Sequence, residues 1–253
     1  MKRSFLWLIP VLAVIGPVAL YLWVMGEKPQ SQALPEPAPA EQPAVRHPIE
    51  GVGPPAQSLP ALEESDAAVT DALAELLGRK LENFFNLQEI VHRIVATVDN
   101  LPRDYVSPRL MPVKPVKGRL VIAGSDERLA LSPENAARYR PYMQLAEAVP
   151  AEKLVAIYAR FYPLFQQQYE NLGYPGKYFN DRVVEVIEHL LAAPDVQEPV
   201  QLIQPRVLYE FADPKLEGLS VGQKILVRMG ADNRVKVKAK LREIRDALVA
   251  KAP

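Results

Sequence analysis

Few side chains in this 253-residue chain are equipped for chemistry, and their spacing limits what they can do. There is no cysteine, which removes thiolate nucleophiles, thiolate metal sites and disulfides together. The three histidines, His47, His92 and His189, stand far apart without the HExxH spacing of a zinc hydrolase. No GxSxG elbow marks a serine nucleophile. What remains is pairs of carboxylates. Asp213 and Glu217 are four apart in "ADPKLE", a helical spacing that would present both as the acid and base of a glycan hydrolase. Surface charge around a turn is the simpler reading of that pair. Glu185 and His189 are also four apart, but an exposed helix pair of this kind contributes only about 0.2–0.5 kcal/mol and implies no catalysis. No cofactor and no metal site is expected.

The sharper feature is aromatic. The stretch "YARFYPLFQQQYENLGYPGKYF", Tyr158 to Phe179, holds eight of the chain's 19 aromatic residues. Leu154, Ile157 and Tyr158, Phe161, Phe165, Tyr169 and Leu172 recur at three- and four-residue steps, which predicts one stripe of a helix, with Phe161, Phe165 and Tyr158 buried. Tyr169, Tyr174 and Tyr178 flank the "NLGYPG" corner, where a tyrosine can bury its ring and keep its hydroxyl wet. With Arg182 as the nearest cation, these four residues are the candidate partner-binding site. Replacing Tyr174 and Tyr178 by alanine is then expected to weaken partner capture and leave the melting temperature nearly intact.

Helical elements must position that corner. "SDAAVTDALAELLG" begins with a capping candidate, Ser65, and ends at Gly78. "NLQEIVHRIVATVDNLP" carries an apolar stripe through Leu87, Ile90, Val91, Ile94 and Val98, with His92 on the water side. Leu101 to Arg128 is broken by prolines and reads as an ordered meander over the core, with an edge hairpin as the lesser alternative. Ser132 and Pro133 open the next helix. Gly173 and Pro175 close the aromatic one, and Asn180 caps its successor, with Phe179 stapled onto Val184. Ser220 caps "VGQKILVRMG". The last helix carries Val237, Leu241, Ile244 and Leu248 toward the core. Asp181 to Glu217 has a net charge of −5 (eight acids, three bases) and Lys224 to Lys251 of +6 (nine bases, three acids). The two segments are expected to pair within the fold.

The N-terminal quarter reads differently. After "MKRS" come twenty uncharged, almost wholly apolar residues, 5–24, long enough to span roughly 30 Å of hydrocarbon. Trp7, Tyr21 and Trp23 sit near its ends as interfacial aromatics do. Lys2 and Arg3 precede the span, so the N-terminus is expected in the cytoplasm and the rest of the chain outside. Residues 26–64 contain nine prolines between Pro29 and Pro60 and little bulky apolar side chain to support folding. They read as a disordered semi-rigid spacer, about 120 Å long if fully extended and about 34 Å on average as a coil. The expected organisation is therefore an N-terminal tail and transmembrane helix (1–25), a Pro-rich linker (26–64), and a compact, mostly α domain with minor β structure (65–253).

The blocks "ATVDNLP", "RYRP", "YPLFQQQYENLGYPGKYFNDR", "YEFADPKLEGLS" and "QKILVRMGADNRVKVKAKLREIR" occur in the order of the bacterial family catalogued as domain of unknown function 3014, which the chain resembles from about Lys80 to Leu248. The resemblance implies the same layout of span, spacer and helical domain. The family has no established activity, so it brings no functional residues with it.

The reading that follows is a single-pass protein of the inner (cytoplasmic) membrane, anchored through residues 5–24, with its domain in the periplasm. It would act there as a non-catalytic interaction or scaffold module, monomeric or weakly dimeric, for an envelope or cell-wall partner. An envelope hydrolase using paired carboxylates is the alternative. A third reading takes "SVGQKILVRMGADNRVKVKAKLREIR" as a DNA-binding helix-turn-helix, but zero net charge argues against nucleic acid.

Overall fold

A computed structural model describes residues 44–49, 59–78, 81–125 and 128–250. The expected transmembrane segment and most of the expected linker lie outside these residues. Among those described, no helix is long and apolar enough to cross a membrane.

The described chain is mostly helical with a small sheet. A 3-10 turn at Leu62–Glu64 leads into α1 (Ser65–Leu77), followed by the single turn α2 (Leu81–Phe84) and by α3 (Ile90–Asn100). Ser65 is the first helical residue and not a cap; its hydroxyl donates back to the Leu62 carbonyl at 2.7 Å. The N-terminus of α3 is capped from another helix. Asp66 of α1 accepts the backbone N–H of Glu89 at 2.7 Å and of Ile90 at 3.0 Å. Glu89 takes a left-handed φ of 52° to make this approach, a conformation uncommon for a side-chain-bearing residue.

The proline-broken region then forms β1 (Ile122–Ala123), which pairs antiparallel with β2 (Leu129–Leu131). The edge hairpin is thus realised at the end of this region, while Leu101 to Val121 runs as the expected irregular meander. Ladder hydrogen bonds to β2 fix the last stretch of an otherwise irregular path. α4 (Glu134–Arg138) and α5 (Arg140–Ala148) follow; Pro133, expected as the first helical residue, takes the cap position of α4, and the Ser132 hydroxyl accepts the N–H of Glu134 at 3.2 Å.

The aromatic stretch is α6 (Ala151–Asn171), 21 residues that continue through Pro163. Gly173, with φ 98°, turns the chain out of it. α7 (Phe179–Leu191) returns, and β3 (Gln201–Ile203) and β4 (Glu210–Phe211) complete a four-stranded antiparallel sheet in the order β1-β2-β3-β4. α8 (Pro214–Glu217), α9 (Val221–Arg228) and α10 (Ala231–Val249) end the described chain.

Three apolar clusters hold these elements. The largest joins α1, α3, α6 and α7, with Phe161, Phe165, Tyr169 and Phe179 buried among Val69, Val91, Val95 and Leu248. Phe179 is 0% exposed, and its ring lies 5.2 Å from Tyr169 and 6.3 Å from Phe165. Burying such a ring stabilises by about 1.5–3 kcal/mol. A second cluster covers the sheet with Leu131, Leu202, Phe211 and Val227. The third seats α9 on α7 through Leu190 and Leu226. There Gly222 donates its N–H to the Leu101 carbonyl at 3.0 Å, so close that a Cβ would meet that oxygen at 2.9 Å and Leu190 at 2.6 Å.

The charge asymmetry resolves inside the fold. Arg234 and Lys238 pair with Asp195, Arg245 with Glu188, and Lys224 with Glu217, joining the acidic and basic segments. Lys238 and Arg234 are themselves buried, and the Lys238 ammonium also donates to the Ala193 carbonyl at 2.6 Å.

Candidate functional site

The corner between α6 and α7 faces the C-terminal end of α3, and Asp99 organises it. This carboxylate is 5% exposed. Its Oδ2 accepts from Arg103 at 2.6 Å and from the Tyr174 hydroxyl at 3.1 Å, and its Oδ1 accepts from Arg182 Nε at 3.2 Å. Arg182 also reaches the Asp99 backbone carbonyl at 3.0 Å and Glu185 at 2.8 Å. Tyr174 stacks on Tyr169, with ring centres 4.6 Å apart and planes 20° from parallel. Lys177 lies over the opposite partner of that stack, 5.3 Å from the Tyr174 ring centre.

Burial, and then the charge of Asp99, push the Tyr169 phenol up to about 12. The charge of Asp99 also raises Arg103 above the ordinary arginine range. The Arg103 shift reflects a buried anion surrounded by donors, and Tyr169 feels that anion in addition to its own burial. The four residues expected at the corner, Tyr169, Tyr174, Tyr178 and Arg182, all line a single cleft of about 390 Å³. Asp99 is the residue that sequence reasoning missed: it sits at the end of the α3 stripe with no spacing relation to the corner.

The far wall of the cleft comes from the expected linker. Residues 44–49 lie across the start of α7, so this part of the spacer is ordered against the domain. Asp181 accepts the N–H of Arg46 at 3.0 Å and of His47 at 2.7 Å. Asn180 donates its side-chain amide to the His47 carbonyl at 2.9 Å. The Tyr178 hydroxyl accepts the Ile49 N–H at 2.7 Å. Ile49 is buried in the main apolar cluster.

This docking corrects the expected cap. α7 begins two residues early, at Phe179, with Tyr178 in the cap position, and Asn180 serves the docked segment instead of its own helix. It also alters the expected effect of alanine at Tyr174 and Tyr178. Tyr178 packs on Tyr162 at 5.2 Å between ring centres, and Tyr174 on Tyr169, so removing these rings removes packing as well as hydroxyls.

The residues considered for catalysis are otherwise engaged. Asp213 caps α8 by accepting the Lys215 N–H at 2.9 Å. Glu217 accepts the Phe211 N–H at 2.9 Å and pairs with Lys224. Its burial opposes ionisation, but these two donors outweigh that and hold it below the ordinary carboxylate range. His189 does not meet Glu185: its Nε2 lies 2.8 Å from Ser220 Oγ, while Glu185 pairs with Arg182. His92 is not turned fully to water, its Nδ1 lying 3.2 Å from the Gln168 amide. Among the described residues, no group of three His, Asp or Glu is placed to hold a metal ion.

The profile of the family described as "Protein of unknown function (DUF3014)" matches residues 90–245. The chain belongs to that family. No curated protein and no solved structure matches it. In this member of DUF3014 the matched stretch runs from the first residue of α3 into α10, and therefore contains Asp99 and the whole α6–α7 corner. Residues 44–49 and α1 lie outside the match.

Proposed function

We propose that this DUF3014 protein is a single-pass membrane-anchored protein of the bacterial envelope, whose helical domain is carried in the periplasm on the Pro-rich tether and serves as a non-catalytic interaction module. The observation that carries the interaction reading is the α6–α7 cleft. Its donors and acceptors are preorganised around a buried Asp99, and it already holds a length of main chain, residues 44–49. The anchor and its orientation are supported by the twenty apolar residues 5–24 and by Lys2 and Arg3 before them. Against the hydrolase alternative stand Asp213 and Glu217, each held by structural hydrogen bonds. Against nucleic acid stands α10, whose Lys236, Lys238, Lys240 and Arg245 already have acidic or carbonyl partners within the domain.

A C-terminal fusion tests the placement directly. Alkaline phosphatase joined after Pro253 is expected to be active in intact cells, and a fluorescent protein that matures only in the cytoplasm is expected to stay dark. The reverse pattern would put the domain in the cytoplasm and sink the envelope reading.

A further inference from the structure

The contacts made by residues 44–49 share one property. All of the hydrogen bonds holding this segment to the corner use its main chain: the N–H groups of Arg46, His47 and Ile49, and the carbonyls of His47 and Ile49, the last accepting from Tyr178 at 3.4 Å. Its one proline, Pro48, occupies the one position between Arg46 and Ile49 that donates no N–H to the groove. The single side chain read by burial is Ile49, which is 8% exposed. Such a pattern recognises a main chain bent at Arg46 and His47 first and an apolar anchor second, a combination by which a groove captures a peptide segment.

We propose that the groove formed by Tyr178, Asn180 and Asp181 is a receptor for the main chain of a peptide bent as residues 44–49 are at Arg46 and His47, and that residues 44–49 are its built-in occupant, displaced by a segment of a partner protein with the same backbone pattern. That pattern is two consecutive main-chain donors, then a position where proline is tolerated, then an apolar residue. The proposal rests on reading the corner as an interaction surface and supplies the chemistry of its partner. The built-in segment acts as a competitor at the high effective concentration of an intramolecular ligand, on the order of millimolar. A partner therefore succeeds where it binds more tightly or presents several copies.

The test uses the full-length protein in detergent micelles and a fluorescent synthetic peptide of residues 43–50 as the probe. Ile49→Asp in the protein removes the anchor of the built-in segment and leaves the groove intact; Arg46→Pro, which removes a donor to Asp181, is a second and independent release. Amide exchange across residues 44–49 reports the release, and circular dichroism reports the helices. Both variants are expected to bind the peptide at least about tenfold more tightly than the wild type. Asp181→Ala added to either is expected to abolish that gain.

Peptides with Arg46 and His47 changed to alanine should bind as well as the parent. Those with His47→Pro or Ile49→Asp should not bind. Release of the segment without any gain in peptide binding would make it a fixed structural strap and overturn the proposal. So would failure of the alanine peptide, because the readout would then lie in side chains. Dimerisation of the wild type that vanishes in Ile49→Asp would assign the groove to exchange between copies, and equally overturn it. The reporter fusions never touch the groove, so a dark peptide titration with correct topology rejects this inference alone.

Discussion

Arg182 closes on Asp99 through two different atoms of the same residue, its Nε on the carboxylate at 3.2 Å and its Nη2 on the backbone carbonyl at 3.0 Å. One guanidinium thus ties the first turn of α7 to the last turn of α3. Asp99→Asn keeps the volume but removes the charge facing Arg182, which is largely buried, and Arg103, which is half exposed. The expected cost is about 2 kcal/mol, a fall in melting temperature of about 4–8 °C for a domain of this size. Arg103→Ala should cost less than 1 kcal/mol, because solvent screens its share. Thermal melts of the two variants side by side check the ordering.

Asp66 caps a helix to which it does not belong. Its replacement by alanine strands the N–H groups of Glu89 and Ile90 and is expected to cost about 1–2 kcal/mol. Asp71→Ala, an exposed change on the same helix, should stay within about 0.5 kcal/mol of wild type. Urea denaturation of both separates a true cap from general loss of helical charge.

Gly222 sits in α9, where alanine would ordinarily favour the helix by about 1 kcal/mol. Here the added methyl would press on a carbonyl oxygen that is itself accepting the Gly222 N–H. Gly222→Ala should therefore destabilise by about 1–3 kcal/mol. An increase in the urea midpoint would show that α9 slides freely on α7.

Burial raises the phenols of Tyr158, Tyr162 and Tyr169, the last to about 12. A phenol held protonated above its unfolded value near 10 stabilises the fold fully below pH 10 and loses that contribution as pH rises toward about 12. Stability should fall across this window. Absorbance titration should register a delayed group of tyrosines, ionising above the ordinary phenol range. Tyr169→Phe should shrink the delayed group and flatten the slope.

Much of this was legible in the residues. The stripe of Phe161 and Phe165 was readable because a helix converts three- and four-residue spacing into a face. The α6–α7 corner was readable because Gly173 and Pro175 leave the chain little alternative. The convergence of Tyr169, Tyr174, Tyr178 and Arg182 in one cleft follows from that local turn. Asp66, and Asp99 in its contacts with Tyr174 and Arg182, were not legible, since they act across more than twenty residues of sequence on partners that only packing brings near. The ordered segment at 44–49 was hidden by its composition. Prolines lower the expectation of folding, yet here the donors needed by Asp181 and Tyr178 fall on the residues that have them. Strand pairing at β1 was legible only as the lesser alternative, because a two-residue edge strand carries almost no periodicity.

The docked segment also moves the working edge of the folded unit. A fragment trimmed to Ser65 would leave the Asp181 carboxylate without its two main-chain donors and would open the apolar site filled by Ile49. One begun at Pro43 keeps both, so residues 44–49, which composition marks as spacer, belong to the hem of the fold itself.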